Sequence, residues 1–107
     1  MGVLGNILGT PSSITITTSI DGDYTVGFND TRIEVDCTLG NVIITLPTIT
    51  DAFKMRPEIQ IKRIDDSLNT LTINGTGGNY EDDGFVIFGL GGTIIYASST
   101  NIWRSSL

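Results

Sequence analysis

Hydrophobic and polar residues alternate with a period of two along most of this chain. Ile14 and Ile16 alternate with Thr15 and Thr17, while Tyr24, Val26 and Phe28 share a face, as do Ile33, Val35 and Cys37. Val42, Ile44 and Leu46 oppose Ile43 and Thr45 until Pro47 ends the run. Such alternation is the mark of strands that bury one side and wet the other. Asp21-Gly22-Asp23, Asn29-Asp30 and Leu39-Gly40-Asn41 separate these runs as turns. Later strands are expected over residues 85–88, 93–97 and 102–104. Roughly nine short strands with closely spaced turns predict an all-β chain: a compact β-sandwich or barrel-like domain of short antiparallel strands.

The segment from Glu58 to Ile73 reads as a hairpin. Ile59 and Ile61 face one way on its first strand, Leu71 and Ile73 share a face on its second, and Asp65-Asp66-Ser67-Leu68-Asn69 turns between them. Arg63 breaks the pattern, because it falls on the face of Ile59 and Ile61. Either the strand ends near Lys62 or a bulge resets its register. Residues 48–57 lack a strand pattern; Thr50 or Asp51 is placed to cap a single helical turn before Pro57, with Phe53 packing inward. Asn74 to Gly84 is a polar loop, and Gly89-Leu90-Gly91-Gly92 is expected to turn the chain.

Two strands are apolar on both sides. Phe85 and Ile87 oppose Val86 and Phe88, and Ile94 and Tyr96 oppose Ile95 and Ala97. Strands covered on both faces read this way. In a chain of 107 residues, one cover is the chain's own core and the other is expected to be a neighbouring subunit. The expected subunit interface is therefore Phe85, Val86, Ile87, Phe88, Ile94, Ile95 and Tyr96. A mean hydropathy of +0.16 points the same way, since a small domain has little interior in which to hide apolar side chains.

Charge and composition narrow the function. A net charge of -6 with six scattered basic residues argues against nucleic acid, which is bound by concentrated positive charge. No apolar run approaches the length of a membrane helix. With one cysteine there is no internal disulfide, and Cys37 reads as a buried structural thiol. The absence of histidine removes Ser-His-Asp triads, Cys-His pairs and His-containing zinc sites. Gly75-Thr76-Gly77-Gly78 lacks the lysine and helix of a phosphate loop. Asp21/Asp23, Asp65/Asp66 and Glu81/Asp82/Asp83 read as solvated turn residues; the last matches no calcium loop, and glycoside hydrolysis would need two of these acids held opposite one another. No enzyme, cofactor or metal site emerges. Trp103, Tyr96 and Tyr80 have rings that stack on sugars, although core or interface packing is the commoner use.

Residues 1–12 stand apart from the β domain of residues 13–107. They carry no charge, have glycine at 2, 5 and 9, and place Val3, Leu4, Ile7 and Leu8 at the spacing of one helical face. An apolar segment of this kind is expected to be an N-terminal arm that docks on another protein.

The runs Tyr24-Thr25-Val26, Ile33-Glu34-Val35-Asp36-Cys37 and Gly40-Asn41-Val42-Ile43-Ile44-Thr45-Leu46-Pro47 resemble a small β module of tailed-phage virion proteins. The resemblance continues through Ile59-Gln60-Ile61-Lys62-Arg63-Ile64-Asp65, Asn69-Thr70-Leu71-Thr72-Ile73 and Asn101-Ile102-Trp103. It implies a compact β domain, often threefold-symmetric, of the kind that recurs in head fibres and tail fibres. A short chain that begins at Met1 resembles a head fibre or capsid decoration protein more than a long tail fibre. The resemblance then implies a homotrimer on the capsid surface of the virion, with the arm docking on the major capsid protein or another virion protein. The alternative it leaves open is a receptor- or carbohydrate-binding module of a tail fibre, with a host surface glycan as partner. A phage-borne glycan hydrolase is a third reading, which would require two facing carboxylates.

Overall fold

The computed structural model describes residues 15–18, 23–28, 30–55 and 58–106. The expected arm, with Val3, Leu4, Ile7 and Leu8, lies outside the described residues. The protein is mostly β, with one short helix. Its elements are β1 (Thr15–Thr18), β2 (Tyr24–Thr25), β3 (Arg32–Val35), β4 (Val42–Thr45), α1 (Asp51–Lys54), β5 (Ile59–Arg63), β6 (Thr70–Asn74), β7 (Phe85–Phe88), β8 (Gly91–Ala97) and β9 (Trp103–Ser106).

These strands form two sheets, one ordered β1-β3-β5-β8-β9 and the other β2-β4-β6-β7. From β1 to β6 the chain winds between them, adding a strand to each sheet in turn. Each circuit lays a new strand parallel to the last: Thr15 beside Arg32 and Arg32 beside Gln60 in one sheet, Tyr24 beside Ile44 and Val42 beside Leu71 in the other. Only the closing strands are antiparallel, β7 on β6 and β8 between β5 and β9.

This winding corrects two expectations. The strands are not simply antiparallel; both sheets are mixed. Nor do β5 and β6 form a hairpin, because they belong to different sheets. Residues 64–69 cross the gap between layers, roughly 10 Å in packed sheets, instead of reversing within one. Gly91 and Gly92, expected in a turn, already lie in β8, which leaves Gly89-Leu90 to carry the chain over from β7.

The periodicity nonetheless selects the core. Ile33, Val35 and Cys37, then Val42, Ile44 and Leu46, and finally Ile59, Ile61, Leu71, Ile73, Ile87 and Ile95 are buried between the sheets. Each fully buried aliphatic side chain of this kind contributes about 1.5–3 kcal/mol. One end of the sandwich is closed by aromatic rings. The single turn α1 carries Phe53 inward, edge-on to Phe28 at 5.5 Å and to Trp103 at 5.4 Å. Thr50 occupies the N-cap without a side-chain cap hydrogen bond, so tertiary packing of Phe53 holds this turn.

The opposite end is closed by a polar knot around Arg63. Neither alternative offered for Arg63 holds, a strand end near Lys62 or a bulge: β5 runs on through Arg63, which points inward and is 0% exposed, and Ile64 N–H continues the ladder to the Val35 carbonyl at 2.9 Å. The guanidinium donates to both Asp65 carboxylate oxygens at 2.9 and 3.0 Å, to the Ile87 carbonyl at 3.1 Å, and to the carbonyl and hydroxyl of Ser67 at 3.0 Å. Asp65 in turn accepts from the N–H groups of Cys37 at 2.8 Å and Ser67 at 3.1 Å. Asn69 donates to the Cys37 carbonyl at 2.6 Å. The knot thus joins the corner after β3, the corner after β5 and the edge strand β7.

Removing one partner of such a pair strands the other charge in the interior. Arg63→Met is expected to lower stability by about 3–5 kcal/mol in urea unfolding. The Asp65 carboxyl is held well below the usual carboxylate range, chiefly by its hydrogen bonds to Arg63 and then by Ser67 and Cys37, against the opposing effect of burial. A lowered folded pKa gives stability that is complete above the unfolded value of about 3.9 and is lost as pH falls toward the folded one. The urea midpoint should therefore decline below about pH 4, and Asp65→Asn should remove that part of the decline.

Candidate functional site

Strand alternation leaves each sheet one outer face, and the two faces differ in chemistry. On the four-stranded sheet the outward positions are Thr25, Ile43, Thr45, Thr70, Thr72, Asn74, Val86 and Phe88. No strand position among them is charged. Register places Ile43, Thr72 and Val86 in one row, with Thr70 beside Phe88 in the next. Phe88 is 75% exposed, and it borders a shallow depression of about 410 Å³ with Asp66, Leu68, Asn69 and Gly89. Gly89 is required at this corner: its φ is +70°, and a Cβ would sit 2.8 Å from Asp66 Oδ1.

The five-stranded sheet presents Arg32, Glu34, Gln60, Lys62, Gly92, Ile94, Tyr96 and Arg104. Most of its charges are paired. Arg32 bridges Glu34 at 3.0 Å and donates to Gln60 Oε1 at 2.8 Å, while Arg104 bridges Glu81 at 2.8 Å. Glu81 also accepts from the Ser105 N–H at 2.8 Å, and its carboxyl is lowered by that bond first and by Arg104 after it. A depression of about 430 Å³ opens over Gly92, lined by Arg32, Gln60, Lys62 and Ile94. Gly92 keeps it open, and its backbone also presses so close to β5 that a Cβ would lie 2.6 Å from the Ile61 carbonyl oxygen.

The expected interface residues divide between these surfaces. Ile87 and Ile95 are buried in the chain's own core and Phe85 packs against it, whereas Val86, Phe88, Ile94 and Tyr96 face outward. Val86 and Phe88 lie on one outer face and Ile94 and Tyr96 on the other, pointing opposite ways. Compared with known proteins, the chain matches no family model, no curated protein and no solved structure.

Of the three rings considered for sugar stacking, two are internal. Trp103 is 1% exposed and donates from Nε1 to the Pro47 carbonyl at 2.7 Å; Tyr80 is 3% exposed and shares a hydrogen bond with Ser105. Tyr96 alone reaches the surface. Lys62 and Arg63, adjacent in sequence within the only approach to a basic patch, are separated by the strand, one outside and one in the core. Several carboxylates are instead engaged within the fold. Asp65 belongs to the Arg63 knot, Glu81 holds β9, and Asp83 accepts from the Gly75 N–H at 2.7 Å. Among the described residues no group of side chains is arranged to hold a metal ion.

The grouping of Arg32, Gln60, Lys62 and Gly92 escaped sequence reading. Arg32 comes beside Gln60 only because one circuit of the winding brings β3 and β5 into register. Cys37 behaves as expected: it is buried, and burial pushes its thiol up despite the opposing pull of Arg63. A disulfide reagent at mildly alkaline pH should leave the folded protein unmodified and titrate one thiol once denaturant is added.

Proposed function

We propose that this chain is a non-enzymatic structural protein of a tailed-phage virion, a trimeric head fibre or capsid decoration protein whose residues 1–12 dock on the capsid. The observation that carries the assembly part is the outer face of the four-stranded sheet, whose strand positions are all uncharged. On a chain of net charge -6, it is a face that copies can bring together without like-charge repulsion. Three such faces turned toward a threefold axis form a closed prism lined by Ile43, Thr72, Val86 and Phe88. Since the two outer faces point opposite ways, only one lines such an axis. Ile94 and Tyr96 then remain outside.

The motif residues behind the virion resemblance also have structural work to do. Arg63, Asp65 and Asn69 form the polar knot, and Trp103 closes the aromatic end. Residues of this kind specify a wound scaffold, and a scaffold suits a protein whose task is to assemble. The second reading, a carbohydrate-binding module of a tail fibre, cannot use Tyr80 or Trp103 as a platform. It is favoured instead by the depression over Gly92.

Light scattering after gel filtration should give a particle of three 11.5 kDa chains. Thr72→Asp, which sets like charges against one another at the axis, should convert it to a folded monomer. A monomeric wild type at about 100 µM, well above the Kd of a stable oligomer, overturns the trimer. Deleting residues 1–12 should spare folding and abolish incorporation into particles; retained incorporation would remove the docking role of the arm.

A further inference from the structure

The outer face of β8 has features that the assembly reading leaves unused. Gly92, Ile94 and Tyr96 succeed one another along it at a spacing of roughly 7 Å, that of alternate strand residues. They form a shallow strip, open over Gly92 and bounded by a ring at Tyr96, which is 38% exposed. Cations flank it: Lys62 pairs with Gly92 across the strands, Arg32 lies one strand further out, and Arg104 pairs with Tyr96. Three of the six basic residues of an acidic chain therefore border one strip. Arg32 and Arg104 are neutralised by Glu34 and Glu81; Glu34 also stands in register beside Lys62, which among the described residues forms no ion pair. Gln60 has its Oε1 engaged by Arg32, which leaves its amide N–H groups to donate outward.

We propose that this strip binds an acidic oligosaccharide, a chain of hexuronate residues. A carboxylate meets Lys62 and the Gln60 amide, one sugar ring rests in the hollow over Gly92 against Ile94, and the next lies against Tyr96. The negative charge of the ligand answers the ammonium of Lys62. The broad, open shape suits a flat polar ring better than an apolar small molecule, which seeks an enclosed cleft. An acidic peptide fits less well. Extended peptides bind by adding to a sheet edge, and β8 is already paired on both sides, with β5 and β9.

The site lies on the face opposite the charge-free one and does not depend on the trimer. It identifies a ligand class for the carbohydrate-binding reading. The test is an amide-resolved NMR titration of the full chain with tri-galacturonate, with maltotriose and a tri-glutamate peptide as controls. Tri-galacturonate should shift the amides of Gln60, Lys62, Gly92 and Ile94, saturating with a Kd on the order of 1 mM, and Lys62→Gln should weaken it about tenfold. Maltotriose and tri-glutamate should leave these amides nearly unmoved. Absence of shifts at these four amides overturns the proposal, as does equal binding of tri-glutamate or an unchanged affinity in Lys62→Gln. Particle mass, read separately by light scattering, is unaffected by either outcome.

Discussion

The guanidinium of Arg63 lies wholly inside the sandwich, and the winding of the chain depends on how its charge is satisfied. Five hydrogen bonds, two of them to the Asp65 carboxylate, offset the cost of removing that charge from water. Their geometry demands that the corners after β3 and β5 and the carbonyl of Ile87 converge on one point. Arg63 therefore does in this small domain what a disulfide does elsewhere, tying segments distant in sequence. It also carries specificity. An aliphatic side chain at this position would fill the space but would fit many corner geometries, whereas a planar fork of donors accepts few.

At the other end, Phe53 and Trp103 meet edge to face in the interior, with the half-exposed Phe28 against Phe53 at the rim. Trp103 still places its one polar atom, donating to the Pro47 carbonyl. The two ends solve the same problem, closing an open-ended sandwich, by opposite means. One uses directional polar bonds and the other apolar bulk. Between them the aliphatic layer is continuous, so the outer faces of the two sheets are left to vary in chemistry without disturbing the core.

That freedom is visible in the contrast between the faces. Threonine, valine and phenylalanine give the four-stranded sheet an outer surface without charged strand positions. Arginine, glutamate, glutamine and lysine on the five-stranded sheet make one suited to water and polar ligands. A small wound domain thereby carries two outer faces of different chemistry over one shared core.

Much of this was legible from residue order. The period-two pattern marked the buried positions of β3, β4, β5 and β6 correctly, because inside-outside alternation is a local property of a strand. The short helix with Phe53 inward and the burial of Cys37 followed from equally local signals. What alternation cannot carry is the identity of the neighbouring strand. The polar run after Arg63 reads the same whether it turns within a sheet or crosses to another, so the expected hairpin proved to be a corner. Arg63 itself looked like a register error, since its place on the inner face is intelligible only once Asp65, Ser67 and Ile87 surround it. The hollow over Gly92 was hidden for the same reason. Its walls come from β3, β5 and β8, and only tertiary pairing makes neighbours of residues that the chain keeps far apart.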